Sequence, residues 1–154
     1  MPQTVFVLDF GAQYSQLIAR RVRELGAYCE IVPFDTPWSA LAEREPAAFV
    51  FSGGPESTTV EGAPDVDPAL LAAGVPIFGI CYGMQLLARH AGARLVKLDR
   101  AEYGPATLHV RIAQPLFADV PEQSRVWMSH GDSVVELPEG WETLASTERC
   151  AIAA

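Results

Sequence analysis

The clearest structural signal in the sequence is the βα unit at residues 76–92, which read PIFGICYGMQLLARHAG. Pro76–Ile80 is a short apolar run, typical of a buried strand. Met84 to His90 has the pattern of a helix, and Gly92 can end it. Between the two, the pentapeptide Gly79-Ile80-Cys81-Tyr82-Gly83 turns the chain. This unit therefore predicts a cysteine at a strand-to-helix turn.

The residues before this unit repeat the same alternation of strand and helix. Three further buried strands are predicted at Thr4–Leu8, Cys29–Val32 and Ala48–Phe51. The helices between them are predicted to end at Gly26, to start at Thr36-Pro37 and to lie around Ala69 to Ala73. Alternating strands and helices imply parallel pairing. The predicted fold class is therefore α/β, with a doubly wound, mostly parallel open sheet and helices on both faces.

After Arg94 the pattern changes to short alternating segments separated by prolines. Strands are predicted at Leu108–Ile112, Ser124–Met128, Val134–Leu137 and Trp141–Ala145. They predict a small antiparallel section beside the parallel sheet. Neither an internal repeat nor an interdomain linker is visible, so residues 1–154 are predicted to form one domain.

Composition excludes several classes of protein. The chain has 154 residues, 49% of them hydrophobic, and a formal net charge of −8, as expected for one soluble globular domain. This acidic balance disfavours a nucleic-acid partner. Residues 68–88 carry no charge, but Gly74, Pro76 and Gly79 interrupt them, which argues against a membrane span. The three cysteines lack a CxxC spacing, so the sequence predicts a cytoplasmic protein without a zinc site or a disulfide framework.

The sequence around Cys81 is that of a nucleophile elbow. In this motif two glycines allow a turn so tight that the central side chain is strained outward, and the next N–H can bind an oxyanion. A helix N-terminus also favours the thiolate form of a cysteine. Cys81 is the predicted nucleophile. The alternative is a buried structural cysteine on a glycine-bounded turn.

A second loop, Ser52-Gly53-Gly54-Pro55, follows the third predicted strand. Carboxyl ends of parallel strands open at the same edge of the sheet, so this loop should lie near the elbow. The N–H groups of Gly54 and Tyr82 could then converge on one oxygen. The alternative is an ordinary turn.

A thiolate nucleophile also needs a base, and His90, His109 and His130 are the histidines of the chain. His90 is predicted to be a solvated residue at a helix end, and His109 to lie on an exposed strand face. His130 is predicted to lie in a loop, two residues before Asp132. The residues alone therefore suggest Cys81, His130 and Asp132 as nucleophile, base and orienting acid, with a capped turn as the alternative for His130.

Other polar and aromatic residues are assigned no chemistry. The carboxylates of Asp9, Glu56 and Glu102 lack the paired spacing of a metal or acid–base site, so surface solvation is predicted for them and no metal is expected. Core or rim packing is predicted for four aromatic residues: Tyr14, Trp38, Trp127 and Trp141.

Taken together, five segments resemble the class I glutamine amidotransferases over the whole chain. They are Asp9–Gly11 with Gln13-Tyr14, Ser52–Ser57, Gly79–Gln85, Trp127–Asp132 and Ala145–Glu148. Within that family, Tyr82-Gly83-Met84-Gln85 resembles the GMP synthase branch and differs from the anthranilate and carbamoyl phosphate branches.

The resemblance implies that Cys81 attacks the side-chain amide of glutamine, that ammonia leaves, and that water hydrolyses the thioester to glutamate. It assigns the oxyanion N–H groups to Gly54 and Tyr82. It assigns binding of the substrate glutamine to Gly53, Gln85, Ser129, His130, Gly131 and Asp132. His130 thereby becomes a substrate-binding residue and loses its role as a base.

The resemblance places the family's imidazole and acid in a later His-Pro-Glu segment, which does not occur among residues 1–154. The sequence is therefore expected to be an amidotransferase domain truncated at its C-terminal end and inactive alone. A synthetase domain, in cis or in trans, is the expected partner. The resemblance assigns ATP, magnesium and the conversion of xanthosine monophosphate to GMP to that ATP pyrophosphatase domain, and no cofactor to this one.

Two other interpretations stay open at this point. One is a catalytically incomplete homologue that binds glutamine or a synthetase as a regulatory module. The other is a self-sufficient hydrolase that uses Cys81 with His130 and Asp132.

Overall fold

The structure, a computed structural model, describes residues 4–113 and 115–154. The chain forms two compact units, one up to Leu87 and the other from Ala88 to Ala154. Each unit has its own sheet, and each is described separately below.

The first unit is built on a four-stranded parallel sheet. Its elements are β1 (Thr4–Asp9), α1 (Ser15–Glu24), β2 (Tyr28–Pro33), α2 (Trp38–Ala42), β3 (Pro46–Phe51), α3 (Pro68–Ala72), β4 (Ile77–Gly79) and α4 (Tyr82–Ala91), which continues into the second unit. The strands lie in the order β2-β1-β3-β4, and every pair is parallel. The predicted α/β fold is confirmed.

Side chains alternate across this sheet and bury both of its faces. Phe6, Leu8, Phe49 and Phe51 pack in one cluster with residues from α2, α3 and α4. Val7 and Val50 pack in a second cluster with Ala19 of α1 and Cys29. Successive strand residues point to opposite faces, so the two clusters lie on the two sides of the sheet. This covering explains why the strands are continuous apolar runs and confirms the predicted helices on both faces.

The ends of the helices follow the sequence signals. Helix α1 ends at Glu24. Gly26, two residues further on, has a φ of +86°, a left-handed conformation that favours glycine. Helix α3 begins with Pro68 after Asp67, whose carboxylate accepts hydrogen bonds from the N–H groups of Ala69 and Trp38, each at 2.9 Å. These backbone hydrogen bonds, the Trp38 one first, hold the pKa of the Asp67 carboxyl below its ordinary value.

The Asp67 carboxylate is expected to make the stability of the first unit sensitive to acid. A lowered pKa in the folded state means that the stabilisation is complete above the unfolded pKa, about 3.9. It is lost as the pH falls through the lower, folded pKa. Asp67→Asn should therefore lower the melting temperature at pH 7 and differ progressively less from wild type in acid.

Thermal unfolding between pH 7 and pH 2 measures this difference, with Asp99→Asn as the control at an exposed position. Asparagine has one acceptor oxygen, so Asp67→Asn removes the charge and one of the two hydrogen bonds, and the part of the difference that varies with pH reports the charge. A difference in melting temperature between wild type and Asp67→Asn that stays constant from pH 7 to pH 2 would contradict a stabilising charge on Asp67.

The second unit contains an antiparallel sheet with the strand order β6-β5-β7. Its strands are β5 (Arg94–Val110), β6 (Gln123–Glu136) and β7 (Ala145–Ser146). The predicted antiparallel section is confirmed, but its strand boundaries are not. Strand β5 starts well before Leu108, and β6 is one strand where two were predicted. Cross-strand pairing explains the difference, because it recruits polar and glycine residues with low strand propensity.

The end of the chain also differs from its prediction. Among residues 141–154, the strand paired with β5 consists of Ala145 and Ser146. The predicted strand at Trp141–Ala145 is therefore wrong for its first four residues. The uncharged residues 68–88 form α3, β4 and most of α4. Among residues 4–113 and 115–154, none of the helices has the length and hydrophobicity that crossing a bilayer requires.

Candidate functional site

The site in the first unit is set by the strand order. β1 lies between β2 and β3, so the strand order reverses there: the chain runs from β1 to β2 on one side and later to β3 on the other. Such a switch point is where open α/β sheets bind ligands. Three segments lie at this edge: residues 10–14 after β1, residues 52–55 after β3, and Ile80-Cys81 after β4.

Cys81 forms the turn between β4 and α4. Its φ is +51°, a conformation that non-glycine residues seldom adopt and that is associated with functional sites. Its carbonyl oxygen accepts the N–H of Gln85 at 3.0 Å, so Cys81 caps the first turn of α4. The residue is partly exposed. The predicted strand-to-helix elbow is therefore present, with the thiol at a helix N-terminus.

The glycines on either side of Cys81 are required by close backbone contacts. A Cβ on Gly79 would lie 2.6 Å from the carbonyl carbon of Gly83, and a Cβ on Gly83 would lie 2.4 Å from the carbonyl oxygen of Phe51. The Gly83 N–H also donates to the carbonyl oxygen of Ser52 at 3.1 Å. The start of α4 thus presses directly against the end of β3.

Ser52 joins the three segments. Its hydroxyl oxygen accepts the N–H of Phe10 at 3.0 Å and donates to the Gly53 carbonyl at 2.8 Å, and the residue is fully buried. A Cβ on Gly54 would meet the Phe10 carbonyl oxygen at 2.7 Å, so this loop crosses the β1 loop without room for a side chain. These contacts fix the loop after β3 against the loop after β1.

Gly53 is the residue of this loop that faces Cys81. A Cβ built on Gly53 would lie 3.7 Å from the Cβ of Cys81 and 3.9 Å from that of Ala12. The structure therefore places the loop after β3 beside Cys81, as the strand order predicts, and the convergence of the Gly54 and Tyr82 N–H groups stays a prediction.

Tyr82 and Gln85 are held in the first turns of α4. The Tyr82 ring is buried and lies 5.2 Å from the Phe10 ring, and its hydroxyl donates to the Pro64 carbonyl. Gln85 is a buried polar residue, 5% exposed. The aromatic contact and the hydroxyl hydrogen bond anchor the backbone that follows Cys81, where the predicted oxyanion N–H of Tyr82 lies.

The other two cysteines are buried. Cys29 and Cys150 are 1% and 4% exposed, and burial raises the pKa of both thiols. Among the three cysteines, Cys81 alone combines partial exposure with a helix N-terminus.

The predicted segment Ser129–Asp132 belongs to the second unit and lies within β6. The prediction of a loop there is wrong, because the segment pairs with β5: Tyr103 lies opposite Ser129, and Glu102 opposite His130. Glu102, for which surface solvation was predicted, is 8% exposed and forms a pair with His130. The sequence did not indicate this contact, because Glu102 has no partner at a recognisable spacing along the chain. The pairing register of β5 and β6 brings it to His130.

The remaining histidines and aromatic residues mostly lie at the surface. His90 and His109 are exposed, as predicted. The packing prediction is correct for Trp38, which contacts Phe49 at 6.4 Å between ring centroids. It is wrong for three exposed aromatic residues: Tyr14, Trp127 and Trp141. Over residues 4–113 and 115–154, no three His, Cys, Asp or Glu side chains are grouped as metal ligands would be.

Comparison with known proteins identifies relatives over nearly the whole chain. The model of the family glutamine amidotransferase class-I matches residues 6–154. A glutamine-hydrolyzing GMP synthase from Caldicellulosiruptor saccharolyticus is 54% identical over 152 residues, which are 99% of this chain and 30% of that relative. The corresponding protein of Aquifex aeolicus is 50% identical over 144 residues, covering 94% of this chain and 28% of the relative. The chain thus spans less than a third of these relatives.

Solved structures agree with these matches. A Thermoplasma acidophilum protein described as a GMP synthase subunit superposes with a TM-score of 0.82 at 30% identity, covering 99% of this chain and 76% of the other. A glutamine amidotransferase from Thermotoga maritima gives a TM-score of 0.75 at 20% identity, covering 99% and 70%, and supports the fold alone. The predicted resemblance to the GMP synthase branch is confirmed.

Proposed function

The chain belongs to the class I glutamine amidotransferases, and we propose that it is the nucleophile-bearing part of a glutaminase that supplies ammonia for GMP synthesis. One observation carries this proposal: Cys81 has a φ of +51° at the N-terminus of α4, with Gly53 packed beside it. A strained cysteine at the carboxyl edge of a parallel sheet matches the geometry of a covalent catalyst.

In the first chemical step the Cys81 sulfur attacks the carbon of the glutamine side-chain amide. A C–S bond forms, and the amide oxygen takes the electron pair of the C=O bond. The N–H groups of Gly54 and Tyr82 are the proposed donors to this oxyanion. A preorganised donor of this kind contributes about 10²–10³-fold to kcat.

The tetrahedral intermediate then breaks its C–N bond. The nitrogen takes a proton and leaves as ammonia, while Cys81 keeps the glutamyl group as a thioester. Water then adds to the thioester carbon, the C–S bond breaks, and glutamate leaves with the thiol restored. Protonation of the leaving nitrogen and removal of a proton from the attacking water both require an acid–base group near the sulfur.

Residues 1–87 contain no histidine, so the first unit does not supply the imidazole that the resemblance assigns to this role. The resemblance places it in a His-Pro-Glu segment that is not among residues 1–154. We therefore propose that these residues alone bind glutamine and release ammonia slowly. Triad members act as a unit, so loss of the base costs orders of magnitude in rate.

The glutamine-binding residues that the resemblance assigns are proposed for each unit by itself. Gly53 and Gln85 belong to the first unit, and Ser129, His130, Gly131 and Asp132 to the second. They would bind the amino and carboxylate groups of the free amino acid. The relatives named GMP synthase are much longer than this chain, which supports a synthetase partner, with ATP, magnesium and xanthosine monophosphate bound there.

Two measurements on the 154-residue chain test the proposal. Isothermal calorimetry should show saturable binding of L-glutamine, and intact mass after an acid quench should show a glutamyl adduct on Cys81. Absence of both binding and adduct would overturn the proposal. Binding by a Cys81→Ala variant as well, with no adduct on wild type, would favour a regulatory glutamine-binding module.

Gly53→Ala is expected to weaken glutamine binding without unfolding the chain. The added methyl group meets nothing closer than 3.7 Å, so the loop tolerates it, but it stands beside Cys81, where the substrate amide must lie. Displacing the substrate by about 1 Å should reduce the affinity and the rate of adduct formation by about 10–100-fold.

Calorimetry and a thermal melt of the same preparation check this expectation. Ser39→Ala, at an exposed position of α2 in the same unit, is the control and should keep both the affinity and the melting temperature of wild type. Wild-type affinity in Gly53→Ala would show that the substrate does not occupy the space between Gly53 and Cys81.

A further inference from the structure

Glu102, which forms a buried pair with His130, has no role in the function proposed so far. The two residues lie opposite each other in the β5–β6 ladder, and their side chains are 10% and 9% exposed. The His130 Nε2 lies 3.1 Å from the Glu102 Oε2. The other ring nitrogen, Nδ1, lies 2.8 Å from the backbone carbonyl oxygen of Asp132.

The chemistry of these partners fixes the protons on the His130 ring. A carbonyl oxygen can only accept, so Nδ1 must carry a proton and donate it to Asp132. The Glu102 carboxyl group occupies the other ring nitrogen, Nε2, at 3.1 Å. Neither ring nitrogen is left with a lone pair for a reacting group. The arrangement therefore opposes His130 as a general base and the self-sufficient hydrolase that would use it.

The same contacts hold the backbone of the segment. On one side the His130 ring contacts the backbone of its own strand at Asp132. On the other side it contacts Glu102 of the neighbouring strand. The ladder is irregular between Lys97 and Glu102, so Glu102 is the first residue of β5 that pairs again after this irregularity. Irregularities of this kind re-aim side chains. Glu102 is thus placed to fix the ring from the partner strand.

We propose that Glu102 is a positioning residue that holds the His130 ring, and through it the Ser129–Asp132 backbone, in the geometry that binds the amino and carboxylate groups of glutamine. This inference rests on the proposed function. Glu102 itself contacts His130 and is not assigned a contact with the substrate. Its role is to keep a polar segment of β6 rigid, because preorganised sites require supporting hydrogen bonds.

Two substitutions of similar volume separate positioning from packing. Glu102→Leu fills the space but leaves Nε2 without a partner, whereas Glu102→Gln keeps a hydrogen-bonding group. We expect Glu102→Leu to raise the dissociation constant for L-glutamine by about 10-fold. Glu102→Gln should stay within about 3-fold of wild type. Glu142→Leu, at an exposed position of the same unit, is the matched control and should change nothing.

The second readout is the ring-nitrogen NMR spectrum of the chain labelled with ¹⁵N-histidine. In wild type and Glu102→Gln, His130 should carry a proton on Nδ1. In Glu102→Leu the ring is held from one side only, so it should turn away from the Asp132 carbonyl and then sample both tautomers. Exposed His90 and His109 serve as internal references. A structural role alone would not move the tautomer and the affinity together.

The outcomes separate the two proposals. If the wild-type chain binds no glutamine, the proposed function is contradicted, and the substrate contact on which this inference rests is removed with it. Wild-type chain that binds, together with Glu102→Leu that binds equally well, overturns the positioning role alone. Should Glu102→Leu fail to fold, the wild-type spectrum decides, and a His130 ring without a proton on Nδ1 overturns the inference.

Discussion

Cys81 is expected to react with iodoacetamide about 100-fold faster than Cys29 or Cys150, and Cys81→Ala should remove the fast reaction completely. The thiolate is the reactive form of cysteine, and the N-terminus of α4 favours it at Cys81. Burial raises the pKa of the other two thiols and shields them from the reagent. The raised pKa lowers the thiolate fraction of the two buried cysteines at neutral pH, and burial also limits access of the reagent, so both effects slow their reaction.

Peptide mapping by mass spectrometry after timed alkylation gives the three rates in one experiment. Cys29→Ala and Cys150→Ala are the matched controls, and both should keep the fast phase. A Cys81 rate equal to that of the buried cysteines in the folded chain would contradict the elbow as a site of activated sulfur.

Gly83→Ala is expected to lower the free energy of unfolding by about 3 kcal/mol, with loss of the elbow geometry. Its Cβ would lie 2.4 Å from the Phe51 carbonyl oxygen and 2.5 Å from the Phe51 Cβ. Both are held by the sheet, so neither can move away as the end of a long side chain could. The start of α4 must therefore shift, and Cys81 shifts with it.

Guanidinium unfolding of Gly83→Ala and wild type measures this change by linear extrapolation. Gly131→Ala is the matched control and should stay within about 1 kcal/mol of wild type, because its nearest neighbour is 3.9 Å away. A Gly83→Ala variant with wild-type stability and fast Cys81 alkylation would show that the close packing of α4 against β3 is not required.

The first unit could be predicted from sequence because its signals are local. Continuous apolar runs mark strands buried on both faces, and Gly26 marks the end of a helix; both appear in the structure at the predicted places. The position of the loop after β3 beside Cys81 could also be predicted, since parallel strands place their carboxyl ends at one edge.

The second unit could be predicted only in part, because its structure depends on contacts between distant residues. The segment Ser129–Asp132 resembles a loop in composition, yet pairing with β5 makes it part of a strand. The contact of Glu102 with His130 joins residues 28 positions apart, and no spacing rule links them. Non-local pairing of this kind leaves little trace in local composition.

The most direct test of the central claim uses a glutamine analogue that carries an electrophilic carbon in place of the side-chain amide. The 154-residue chain is treated with the analogue, with and without excess L-glutamine, and the modified peptide is identified by mass spectrometry. We predict one modification, on Cys81, that L-glutamine suppresses and that Cys81→Ala lacks. Modification of Cys29 or Cys150 instead, or labelling of Cys81 that L-glutamine does not slow, would contradict a glutamine site at Cys81.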